Sequence, residues 1–96
     1  MLENKYQAHL IKKIKKRLPG SEVLKNDSSY IQGICDLLIL YNNKWAMLEV
    51  KIDKDANKQP NQDYYVAKFK KMAYAAFIYP EIEERILNEM ERSLIS

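Results

Sequence analysis

The chain has 96 residues, 47% of them hydrophobic and 30% charged, with only two glycines and three prolines. That balance excludes a disordered or low-complexity chain. The length fits one domain, residues 1–96, with a modest core that self-association would enlarge. The single cysteine, Cys35, excludes an internal disulfide framework and a cysteine-based structural zinc site, and no apolar run reaches the roughly 18 residues of a membrane span.

Basic residues recur through Lys12 to Arg17 with no uninterrupted apolar region behind them, so the N-terminus does not read as a secretory signal. A cytoplasmic location is expected. The net charge of +3 is unevenly spread: Lys5, Lys12, Lys13, Lys15, Lys16 and Arg17 face Glu3 within residues 1–20, whereas residues 80–96 hold five glutamates against Arg85 and Arg92. A basic end of this kind suggests a face that meets a polyanion. A solvated helix face is the competing reading.

In chain order, Leu2, Tyr6, Leu10, Ile14 and Leu18 recur every fourth residue and predict a helix over 2–18, closed by Pro19-Gly20. A short strand is expected over 22–25, followed by a polar, turn-rich segment over 27–33. Residues 34–41 (ICDLLILY) and 44–52 (KWAMLEVKI) predict two strands, and Asn42-Asn43 between them suits a two-residue hairpin turn. A polar loop over 53–60 leads to a helix with Pro60 in its first turn. Gln62, Tyr65, Val66, Phe69, Met72 and Ala73 would share its inward face. Residues 74–79 (YAAFIY) predict a buried strand, and Pro80 opens a last helix with Ile82, Ile86, Met90 and Leu94 in register. The order is helix, three strands, helix, strand, helix: a mixed α/β domain with one central sheet flanked by helices.

The hairpin carries the chemistry. With Asn42-Asn43 as its loop, Tyr41 faces Lys44, Leu38 faces Met47 and Asp36 faces Glu49. Alternation puts Lys51 on the same side as Glu49. Directly opposed like charges destabilise a strand pair, more so between apolar strands. Protonation of one carboxyl relieves the repulsion, and so does a cation; two carboxylates plus water suit Mg²⁺ or Mn²⁺. A solvated ion cluster on an edge hairpin is the structural alternative.

Cys35-Asp36 on one strand, Glu49-Val50-Lys51 on the next and the downstream Gln62 together resemble the PD-(D/E)XK nuclease superfamily. The likeness is closest to the small virus-type replication-repair nuclease (VRR-NUC) domain, with Holliday-junction resolvases as relatives. The resemblance spans roughly Gly33 to Tyr79. It implies a restriction-endonuclease-like αβββαβ core with an extra C-terminal helix, and a metal-dependent endonuclease acting on branched or junction DNA in viral replication, recombination or repair. A viral protein of this kind would work in the host cytoplasm.

In that reading Asp36, Glu49 and the Val50 carbonyl bind Mg²⁺ or Mn²⁺, Lys51 orients the attacking water or stabilises the phosphate, and Gln62 fixes one of these groups. Glu3, the acid on the first helix, is a further candidate ligand. Lys12, Lys13, Lys15, Lys16 and Arg17 would contact DNA phosphates without reading sequence. A homodimer or larger assembly is the expected state. Cys35 departs from the proline usual before the aspartate, and AYAAFIYPE departs from the glycine-containing strand and Arg-Ser ending of the subfamily. A non-catalytic DNA-binding module, or a small interaction protein using the acidic last helix, are the alternatives.

Overall fold

The computed structural model describes residues 2–96. Its elements are α1 (Glu3–Arg17), β1 (Glu22–Lys25), β2 (Leu37–Tyr41), β3 (Lys44–Val50), α2 (Gln62–Lys70), β4 (Tyr74–Ile78), and a 3₁₀ turn (Pro80–Ile82) running into α3 (Glu83–Ile95). The four strands form one sheet in the order β1-β2-β3-β4, antiparallel except for the parallel β3–β4 pair. The connection between these two parallel strands carries α2, as a crossover requires. Among the described residues no helix is long and apolar enough to cross a membrane.

Both faces of the sheet are covered. Leu37, Ile39, Ala46, Leu48, Val50, Ala76 and Ile78 point to one side, where Leu10 and Ile14 of α1 and Ile86, Leu87, Met90 and Leu94 of α3 pack on them. The alternate positions Met47 and Ala75 point to the other side and meet Cys35 and Val66, with Leu38, Trp45, Phe69 and Phe77 around them. Period-two alternation therefore sends Glu49 and Lys51 toward the α2 side. Ion pairs tie α1 to α3: Arg17 reaches Glu84 (2.7 Å) and Glu91 (2.8 Å), Lys13 pairs with Glu83, and the Tyr6 hydroxyl donates to Glu83 at 2.8 Å.

The hairpin register is the expected one, with Leu38 opposite Met47 and Tyr41 opposite Lys44, and Asn42 in the turn has φ +55°. Several boundaries differ, among them the end of β3 at Val50 instead of Ile52 and of β4 at Ile78 instead of Tyr79. β2 begins at Leu37 instead of Ile34, because Asp36 Oδ2 accepts the Val50 N–H at 2.9 Å and the Asn26 amide donates to the Cys35 carbonyl at 2.8 Å. These side-chain bonds replace the next rung of the ladder. The second helix starts at Gln62, after Asn61 has turned through φ +71°. It ends at Lys70, so Met72 lies beyond its inward face and is 61% exposed.

Gly33 packs against the residues that lead into α2. It has φ +87°, and a Cβ there would lie 2.6 Å from the Asn61 Cβ and 2.6 Å from the Pro60 carbonyl oxygen. Only glycine allows the two loops to meet so closely. Gly33→Ala adds a left-handed penalty to a backbone clash, and should cost roughly 1–3 kcal/mol in a denaturant titration. An unchanged midpoint would refute this role for the contact.

Candidate active site

Continuation of the β2–β3 register brings Asp36 opposite Glu49, just past the last ladder pair at Leu37 and Leu48. Glu49 is 1% exposed, and it sits inside the sheet without a full set of partners. Its Oε2 accepts a hydrogen bond from Gln62 Nε2 at 2.8 Å and lies 3.9 Å from the Lys51 ammonium. Its Oε1 has no hydrogen-bond donor among the described residues. A proton shared with Asp36 would satisfy that oxygen, and so would a cation.

Lys51 and Gln62 are also buried. Lys51 Nζ donates to Gln62 Oε1 at 2.6 Å and to the Asn57 carbonyl at 3.1 Å, and the Gln59 N–H donates to the same Gln62 oxygen at 2.8 Å. These contacts select one orientation of the Gln62 amide. With the amide reversed, its NH₂ would face an ammonium and an N–H, and its oxygen would face a carboxylate. Gln62 thus acts as a relay that holds the lysine on one side and the glutamate on the other.

The electrostatics follow from this crowding. Burial, then the charge and closeness of the Asp36 carboxylate, hold the Glu49 carboxyl up to about 9. Lys51 opposes the shift, and Glu3 adds to it from the start of α1. Glu3 is itself raised, first by partial burial and then by Asp36, with Lys51 acting the other way. The Cys35 thiol is pushed up to about 12 by burial and by the charges of Glu49 and Asp36, so it stays neutral. The mouth of the site is a cleft of about 330 Å³ lined by uncharged Ser28, Gln32, Gln59 and Gln62 beside Asp36.

No family model matches the chain, and no curated protein does. A solved structure described as a VRR_NUC domain matches with a TM-score of 0.68, over 93% of this chain and 94% of that one, at 22% identity. The fold is that of a VRR_NUC domain. Within this VRR_NUC fold, Asp36, Glu49, Val50, Lys51 and Gln62 come together at the end of β3, and Glu3 lies within electrostatic reach of them.

The basic run does not join them. At about 1.5 Å per helical residue, Lys12 to Arg17 lie roughly 13–21 Å along α1 from Glu3. Arg17 and Lys13 are engaged with the glutamates of α3, while Lys12, Lys15 and Lys16 are exposed. Sequence reasoning did not find Asn26, Gly33, Asn57 or Asn61. Asn26 secures the Cys35–Asp36 segment, and the other three shape the loops around Gln62. The Gly33 left-handed turn was the one signal available for them.

A carboxyl raised in the folded state binds its proton over a range where the unfolded chain has lost it. Stability therefore falls as pH rises from the ordinary carboxylate range near 4.5 to about 9. In EDTA the melting temperature should decline across this window, and Glu49→Gln should flatten the decline. A wild-type profile that is flat or rising there would contradict the assignment.

Proposed function

We propose that the chain is a divalent-metal-dependent nuclease that hydrolyses DNA phosphodiester bonds. The observation that carries this reading is the Glu49 carboxylate, buried with Oε1 unpartnered and aimed into the same space as Asp36. A protein with no use for a cation there has no reason to retain two adjacent carboxylates in so dry a setting. The likeness to a VRR_NUC domain supports the same reading at the level of fold.

The donor set fits a hard, oxygen-seeking ion. Asp36 and Glu49 would hold Mg²⁺ or Mn²⁺, with the Val50 carbonyl as a backbone donor; the Val50 N–H faces Asp36, and the N–H and C=O of a strand residue point to the same edge. Glu3 would contribute through water or by its charge, since no cluster of three or more acidic, histidine or cysteine side chains forms a metal site among the described residues. Bound there, the ion supplies Lewis-acid polarisation of the phosphate and a water of lowered pKa.

The remaining work falls to the chain. Lys51 is held in place by Gln62 and the Asn57 carbonyl, and places its ammonium beside Glu49 to stabilise negative charge on the phosphate during attack. Gln62 keeps the lysine and the glutamate in register and has no proton to exchange. Apolar Met47, Val66 and Cys35 beneath the site limit water and strengthen each of these interactions. Lys12, Lys15 and Lys16 are left for outlying phosphates. A homodimer or larger assembly would present two such sites to a branched substrate.

The test is cleavage of labelled linear and branched DNA with Mg²⁺, Mn²⁺ or EDTA. Cutting should require the metal and fall by roughly 10²–10³-fold or more in Glu49→Gln and Lys51→Ala, with circular dichroism confirming folded variants. Gln62→Ala should lower the rate while leaving weak metal-dependent cutting. Absence of cutting on every substrate, by folded wild-type protein with metal, would defeat the proposal.

A further inference from the structure

β4 is an edge strand, and the groove along it is strongly basic. The space beside β4, between α2 and α3, measures about 320 Å³. Lys54, Lys58, Lys70 and Arg85 line it together with Lys51, against the acids Asp53 and Glu89. The four outer cations are exposed and come from three segments: the β3–α2 loop, the end of α2 and the first turns of α3. Folding, not a run of sequence, brings them together.

Two of these cations already have partners. Lys58 pairs with Asp63 at 3.0 Å and stands 4.6 Å over the Phe77 ring; Arg85 lies 3.5 Å from Glu89, which also accepts the Tyr74 hydroxyl at 2.9 Å. Exposed pairs of this kind contribute little and exchange readily for a stronger anion. Lys54 and Lys70 have no ion-pair partner among the described residues. An excess of cations with few internal partners selects for a ligand carrying several negative charges.

Lys51 identifies which polyanion. It lines this groove and also contacts Gln62 and Glu49, so an anion in the groove lies directly beside the candidate catalytic residues. We propose that the β4 groove is a phosphate track, in which Lys54, Lys58, Lys70 and Arg85 hold the nucleic-acid backbone on one side of the bond addressed by Glu49 and Lys51. From Tyr74 to Tyr79 the strand offers roughly 16 Å of edge, enough for several successive phosphates. The half-buried Tyr74, Phe77 and Tyr79 offer bases or sugars a surface and read no sequence. This track rests on the nuclease reading for its substrate, but its test does not depend on cleavage.

The experiment measures binding of a labelled linear duplex in EDTA over a salt series. It compares wild type, Lys54→Ala/Lys70→Ala and the charge-matched Lys12→Ala/Lys16→Ala, with melting temperatures as a folding control. The groove variant should bind about tenfold or more weakly at low salt, and its log–log salt slope should fall by roughly 2, because two fewer phosphates are neutralised. The α1 variant should lose less on both counts. A groove variant that binds like wild type overturns the track and leaves the nuclease reading intact, freeing the groove for an acidic protein segment. Groove-dependent binding by a protein that never cuts would retain the track and reject the nuclease. A wild-type protein that binds no DNA at low salt overturns the track.

Discussion

Glu49 is a carboxylate on a central strand, buried to 1% exposure, with a second carboxylate opposite and one of its own oxygens lacking a donor. Desolvation of a charged group in this way is tolerable only if a proton or a cation restores the balance. Much of the surrounding structure serves that constraint. Asp36 stays beside Glu49 because its carboxylate takes the Val50 N–H where the β2–β3 ladder stops at Leu37 and Leu48. Gln62 gives the glutamate one hydrogen bond and holds Lys51 near enough to offset part of the charge. One Glu49 oxygen is still left without a donor.

The position of Gln62 depends in turn on backbone geometry some distance away. Gly33 and Asn61, both in left-handed conformations, let the loop before β2 touch the loop before α2. That contact sets the first turn of the helix, and so the reach of the amide. On the opposite face, α1 and α3 pack their apolar stripes against the sheet and are joined by Arg17 and Lys13 to a row of glutamates. The same ion pairs divert part of the basic run of α1 from any ligand. The cations that remain near the site lie elsewhere, along the β4 edge.

The legible parts of the fold were those dictated by local periodicity. The four-residue spacing of Tyr6, Leu10 and Ile14 locates α1, and the Asn42-Asn43 turn sets the register that opposes Asp36 to Glu49. The juxtaposition of Lys51 and Gln62 with that pair was legible too, through alternation on β3 and the helical stripe that follows. Less legible were features that need two distant segments at once. Asp36 delays the start of its strand by a side-chain bond to β3, Met72 falls outside a helix that stops at Lys70, and Pro60 precedes a left-handed residue instead of opening the helix. Charge was the least legible property. Lys12 to Arg17 are conspicuous as a run yet partly neutralised from α3, whereas Lys54, Lys58, Lys70 and Arg85 are scattered in sequence and adjacent in space.

The most direct test of this account is the proton balance of Mn²⁺ binding near pH 7, by titration calorimetry in buffers of different ionisation enthalpy. A Glu49 carboxyl held protonated in the metal-free protein must release its proton when a cation takes its place. The account predicts binding with release of about one proton, and loss of both the release and most of the affinity in Glu49→Gln. Binding without proton release would contradict the protonated state assigned to Glu49, and binding that survives Glu49→Gln unchanged would mean that the ion sits somewhere other than between Asp36 and Glu49.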